Sequence, residues 1–153
     1  MGSEMCIRDR LLAGLALAGL LAIYLPLGVF NAPALLVVIM GLAGGVFLLP
    51  AVFSFVKHET TVNPQSPSQA TTLVTDGIYS ITRNPMYVGM LLVLTAFVLW
   101  LGAPSAFLAA GAFFLSIDRF QIRSEERFLG QNFGKNYEDY TKRVPRWLIV
   151  RTN

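Results

Sequence analysis

The sequence predicts an all-α integral membrane bundle of about four transmembrane helices, completed by a C-terminal amphipathic segment at the interface. Three observations carry that prediction. The 153 residues are 54% hydrophobic and 14% charged, with a mean hydropathy of +0.57, which is far more apolar than an ordinary soluble domain. Four runs without a charged residue fall at 11–30, 34–56, 86–102 and 105–117. If these runs alternate across a membrane, all 12 Lys and Arg residues fall on one side, because the opposite turns, 31–33 and 102–105, carry none.

Residues 1–10, MGSEMCIRDR, differ from the apolar run that begins at Leu11 and have the look of a vector or sequence-assembly leader, so the domain reading begins at residue 11. Residues 11–56 supply two N-terminal spans, each long enough at about 1.5 Å per residue to cross roughly 30 Å of hydrocarbon. A signal peptide would also fit the first run, but no small-residue cleavage site leads into soluble sequence, so an uncleaved span is expected. Pro26 and Pro50 fall inside these spans and predict kinks.

Residues 57–85 turn polar, with prolines at 64, 67 and 85, and read as a cytoplasmic loop with little regular structure. Residues 86–153 hold a tight helical hairpin and then FQIRSEERFLGQNFGKNYEDY, where Phe120, Phe128, Leu129 and Phe133 alternate with charged residues as one or two interfacial helices. Gly14-xxx-Ala18 and Gly41-xxx-Gly45 have helix-packing spacing, for contacts within a monomer or between the copies of a homodimer.

Charge and composition narrow the function classes. The positive-inside rule puts the termini and the 57–85 loop in the cytoplasm, so the two polar segments share one membrane face. One Cys and one His provide neither a disulfide framework nor a zinc site, and no metal is expected. His58, Trp100 and Trp147 read as headgroup-level residues. Basic residues at span ends, interleaved with acids, point to membrane lipid and not to nucleic acid.

The stretch GIYSITRNPMYVGM, residues 77–90, runs without a spacer into the third span. It sets Arg83-Asn84-Pro85-Met86-Tyr87-Val88-Gly89 at the mouth of that span. One hairpin later comes Glu125-Glu126, succeeded by Phe133-Gly134, Tyr137, Tyr140 and Arg143-Val144-Pro145. Through these elements residues 71–150 resemble the isoprenylcysteine carboxyl methyltransferases and their prokaryotic relatives. That group is related to the phospholipid methyltransferases, integral membrane enzymes that use S-adenosylmethionine and release S-adenosylhomocysteine. The first two spans resemble the family only in being hydrophobic.

The resemblance implies cofactor contacts from Thr72, Leu73 and Val74, from Tyr79, from Asn84, Pro85, Met86 and Tyr87, and from Glu125. The chemistry of the residues agrees with this. Arg83 beside a helix start suits the cofactor carboxylate, Glu125 suits its ribose hydroxyls or ammonium, and Leu73, Val74, Tyr79 and Tyr87 suit adenine. Gly89 allows a ligand or a neighbouring helix to come close. The chain departs from the family pattern at two positions: Asn84 replaces the usual histidine, and Gln121, flanked by Arg119 and Arg123, occupies the place of a substrate-handling arginine.

Arg119, Gln121, Arg123 and Tyr140 are therefore candidate substrate contacts, and Arg83, Arg123 and Glu126 candidate catalytic residues. Glu126 or Asp118 would serve as base if the acceptor were an amine. Tyr137, Tyr140, Arg143 and Pro145 are expected to dock the tail, and Lys142, Arg143 and Arg146 are a candidate patch for anionic lipid. The implied function is methyl transfer to a lipophilic or prenylated acceptor, which could be a carboxylate, a thiol or a lipid amine. A small membrane scaffold with a basic cytoplasmic face is the alternative.

Overall fold

Uncharged runs rich in Leu, Ala and Val satisfy their backbone groups internally as helices. The computed structural model describes residues 7–25, 27–57 and 73–148, and within them every regular element is helical. Thr72, His58, Pro26 and most of the 57–85 loop lie outside the described residues. Helix α1 spans Ile7–Tyr24 and so begins inside the stretch read as a leader. It also stops short of the expected end at residue 30. Leu25, the residue before a proline, is already non-helical, a position where a following proline disfavours helical geometry.

Helix α2 spans Ala34–Lys57 and carries Pro50 in its interior. After a 3-10 turn at Gly77–Ser80, α3 covers Pro85–Leu101. A second 3-10 turn at Pro104–Ala106 leads into α4, Phe107–Ser116. Among the described residues, the expectation of four full-length spans is met by one helix: Ala34–Ser54 is long and apolar enough to cross a membrane, while α3 is apolar but has 17 residues. Helix α1 carries Arg8, Asp9 and Arg10 near its start, and α4 has only 10 residues. Exposed large side chains line the outer surfaces of these helices, among them Leu35, Leu42, Val46 and Phe53 on α2 and Leu108 and Leu115 on α4.

Helices α2 and α3 cross where glycine faces glycine. A Cβ on Gly44 would meet Val93 Cγ2 at 2.7 Å and the Gly89 carbonyl at 3.0 Å, and one on Gly89 would meet Leu48 Cγ at 2.6 Å. Within the single chain the contact thus belongs to Gly44, while Gly41 and Gly45 face open space. The other spacing holds, since Ala18 is fully buried and Gly14 lies against Leu94. Leu94, Val98, Ala106 and Ile117 form the fully buried centre among α1, α3 and α4.

The two uncharged turns meet at one end of the bundle. Phe30 donates its backbone N–H to the Gly102 carbonyl at 2.8 Å, and Ser105 Oγ donates to the Leu21 carbonyl at 3.0 Å. Gly102 sits at φ 63°, a left-handed conformation suited to a helix C-terminus.

At the other end, α4 does not stop where the charges begin. It continues through a π-helical stretch, Ile117–Ile122, into α5, Arg123–Phe133. Gly134 at φ 50° then breaks the chain into α6, Lys135–Arg143. The amphipathic segment is therefore two helices, and it extends the fourth apolar run without interruption. Leu129 and Phe133 on α5 pack against Tyr137, Tyr140 and Val144, with Leu73 alongside.

Candidate functional site

Pro85 occupies the first turn of α3, where its missing N–H costs no hydrogen bond. The residues just before it pair with the chain after α6. Arg83 N donates to the Pro145 carbonyl at 2.9 Å. The Arg146 carbonyl accepts from Thr82 Oγ1 and from Asn84 Nδ2, both at 3.0 Å. Thr82 is fully buried and Asn84 nearly so. Asn84 thus ties the tail to the α3 mouth, and its side chain makes no capping bond.

This backbone pairing brings two guanidinium groups to one carboxylate. Arg83 Nη1 donates to Glu126 Oε1 at 2.8 Å. Arg146 reaches the same oxygen through Nε at 3.0 Å and reaches Oε2 through Nη2. Arg146 Nη1 and Trp147 Nε1 also converge on Asp118 Oδ1, at 3.3 and 3.1 Å. The side chains of Arg83, Glu126 and Asp118 are 10%, 18% and 19% exposed and that of Arg146 31%, so the two positive and two negative charges neutralise one another in a partly buried setting. Glu126 and its neighbours lift the affinity of Arg146 for its proton, the hydrogen bond from Arg146 to Glu126 being the main cause. Arg83 Nε is buried and has no hydrogen-bond acceptor among the described residues.

A second carboxylate stands beside the first with different partners. Tyr87 donates to Glu125 Oε1 at 2.6 Å and Gln121 Nε2 donates to the same oxygen at 2.7 Å. Burial pushes the Glu125 carboxyl above the usual carboxylate range, and the hydrogen bonds from Gln121 and Tyr87 pull it partly back. The π stretch makes this arrangement, because Asp118 and Gln121 both lie on it and both turn inward. π segments within α-helices are often found at functional sites.

The apolar side of the mouth is built from the residues before α3. Val74 and Tyr79 pack with Ala51, Ile78 and Met86, while Leu73 lies against Tyr137 and Tyr140. Tyr140 donates to the Tyr79 carbonyl at 2.6 Å, and Tyr137 lies 3.4 Å from Arg83 Nη1. Burial raises the phenol pKa of both Tyr79 and Tyr140, so both stay neutral.

Of the residues singled out from sequence, Leu73, Val74, Tyr79, Arg83, Asn84, Pro85, Met86, Tyr87, Gln121, Glu125, Glu126 and Tyr140 come together around the N-terminal end of α3. Thr72 lies outside the described residues. Arg119 and Arg123 are exposed and do not join the cluster, and Gly89 is occupied by helix packing. Sequence reasoning missed the central part of Arg146, read as lipid patch, and of Trp147, read as interface anchor; Trp147 instead binds Asp118 and packs on Phe114 at 5.0 Å. A signal was present in the charges: Asp118, Glu125 and Glu126 lie close together in sequence, and Arg83 alone cannot balance three carboxylates.

Parts of this sequence recur in known proteins. The profile of the phospholipid methyltransferase family matches residues 33–136, well over half of the chain. The match reaches back across α2, a helix that resembled the family only in hydrophobicity. Over 63 residues the chain is 46% identical to an uncharacterized protein of Haemophilus influenzae, covering 41% of this chain and 100% of that protein.

It is 40% identical over 76 residues to protein-S-isoprenylcysteine O-methyltransferase B of Arabidopsis thaliana, covering 48% of this chain and 37% of that one. With the protein-S-isoprenylcysteine O-methyltransferase of Schizosaccharomyces pombe the identity is 40% over 76 residues, 48% of this chain and 31% of that one. The chain thus spans about a third of the length of the named methyltransferases it matches. No solved structure matches it.

Proposed function

Because the chain belongs to the phospholipid methyltransferase family, we propose that it is an S-adenosylmethionine-dependent methyltransferase acting in the membrane on a lipophilic acceptor. The observation that carries this reading is the pair of unlike carboxylates at the α3 mouth. Glu126 is held on both oxygens by Arg83 and Arg146. Glu125 takes both of its hydrogen bonds on Oε1, which leaves Oε2 as an acceptor for a ribose hydroxyl or an ammonium group.

The donor set fits the cofactor. The unmatched Nε of Arg83 and the adjoining N-terminus of α3 suit a carboxylate, and Leu73, Val74, Tyr79, Met86 and Tyr87 offer apolar and aromatic walls for adenine. S-adenosylmethionine supplies an electrophilic methyl group on a sulfonium. The protein's part is to orient the acceptor in line and exclude water, which demands positioning and no covalent intermediate.

The cluster also bears on the acceptor. An amine must lose a proton, but Asp118 and Glu126 are both engaged by Arg146, and Glu126 by Arg83 as well. Such an arrangement favours an acceptor that arrives as an anion, a carboxylate or thiolate, whose charge cancels that of the sulfonium as the methyl moves. Residues 11–56 and 86–117 would supply four membrane-crossing segments, with both termini and the site on the cytoplasmic side. The acceptor would enter laterally from the bilayer.

Binding of the cofactor product tests the site. S-adenosylhomocysteine should raise the melting temperature of the purified protein, and Arg83→Ala and Glu125→Ala should each abolish most of that shift. Unchanged shifts in both variants would remove the site. In parallel, the protein incubated with labelled methyl donor and a total lipid extract should give a product that releases labelled methanol in alkali if the acceptor is a carboxylate, whereas methyl groups on sulfur or nitrogen stay attached.

A further inference from the structure

The outward ridge of the α4–π–α5 helix changes character along its length. Leu108 and Leu115 are 59% and 56% exposed, and the same ridge continues through Arg119, Arg123 and Arg127, all exposed. Steps of four residues, in π as in α geometry, keep these arginines near one face. Phe120 stands beside them, 72% exposed.

Nothing acidic on this helix compensates the three cations. Helical spacing would allow Glu126 to pair with Arg123 and Asp118 or Glu125 with their neighbours, but all three acids turn inward to Arg83, Arg146, Trp147, Tyr87 and Gln121. The exposed acids Glu138 and Asp139 of α6 pair with Lys142 instead. Among the described residues, Arg119, Arg123 and Arg127 form no ion pair.

We propose that the Arg119–Arg123–Arg127 ridge is a docking surface for anionic phospholipid headgroups, placed where the helix leaves the hydrocarbon. The leucines above the ridge face lipid tails and the arginines meet headgroup phosphates at the depth where charge is met. Phe120 enters the same boundary layer. This surface is separate from the cluster at the α3 mouth, and it gives Arg119 and Arg123 a function other than acceptor binding. The apolar-to-basic transition along one ridge favours a lipid surface over a soluble acidic partner, which would not need the leucines.

The test uses the full chain in uncharged detergent micelles, titrated with pyrene-labelled phosphatidylglycerol and read by energy transfer from Trp100 and Trp147. Wild type should bind this probe more tightly than pyrene-labelled phosphatidylcholine, and binding should weaken as salt rises. Replacing all three, as Arg119→Ala/Arg123→Ala/Arg127→Ala, should weaken phosphatidylglycerol binding on the order of a hundredfold. The triple Arg→Lys variant at the same positions should retain most of it, which separates charge from folding. Equal binding of the two lipids, wild-type affinity in the alanine variant, or equal loss in the lysine variant would each overturn the proposal.

Discussion

At the scale of the residue, Glu125 sets function against stability. Its carboxyl is pushed above the usual range mainly by burial, so the ionised form is disfavoured in the folded protein. Because the folded value exceeds the unfolded one, this group's contribution to stability is fully present below the unfolded value of about 4.3 and is lost as pH rises through the folded value. Glu125→Gln keeps an oxygen to accept from Tyr87 and Gln121 but cannot ionise. At neutral pH it should melt above wild type, with the gap closing as the pH falls toward about 4.

The same substitution should weaken S-adenosylhomocysteine binding about tenfold or more, the worth of one hydrogen bond to a charged group. Thermal melts across pH, with and without ligand, check both halves. Glu125, Arg83 and Tyr87 were legible in the sequence because the motif marks them at fixed spacing. Arg146 was not, since its place depends on its backbone carbonyl pairing with Thr82 and Asn84 across 64 and 62 residues. No side-chain pattern records such a contact.

At the scale of the element, the helical identity of the apolar runs was legible and their facing was not. Gly41, Gly44 and Gly45 lie close together on α2, and hydrophobicity all around the helix gives no stripe to choose among them. The structure chooses Gly44, whose added Cβ would lie 2.7 Å from Val93 Cγ2 and 3.0 Å from the Gly89 carbonyl. Backbone cannot yield as a flexible side chain can. Gly44→Ala should therefore destabilise the α2–α3 pair by about 1–3 kcal/mol, the usual range for overpacking.

Gly41→Ala and Gly45→Ala meet open space and should be neutral or slightly stabilising through helix propensity. Melting the three variants side by side distinguishes this crossing from the alternative in which Gly41 and Gly45 form a dimer face. The continuity of α4 with α5 was equally hidden. The change from apolar to charged residues at Asp118 signals a change of solvent, and a helix can pass through such a boundary without ending.

At the scale of the whole molecule, charge and packing agree about which ends belong together. The turns that carry no Lys or Arg are joined by Phe30 N to the Gly102 carbonyl at 2.8 Å. The polar segments are joined by Arg83 N to the Pro145 carbonyl at 2.9 Å, at the opposite end of α3. That helix has 17 residues, about 25 Å at the usual rise, close to the thickness of a hydrocarbon core. The separation is the physical basis for expecting one wet cytoplasmic face and one short-turned outer face.

Single-cysteine labelling in a Cys6→Ser background tests it, because Asn31 and Lys135 are both exposed and lie at opposite ends. In sealed inverted membrane vesicles, Lys135→Cys should react with a membrane-impermeant maleimide and Asn31→Cys only after the membrane is permeabilised. Intact cells or spheroplasts should give the reverse order. Reaction of both cysteines from the same side would break the alternation on which the cytoplasmic placement of Arg83, Glu125 and Glu126 rests, even if the cluster itself still bound S-adenosylhomocysteine.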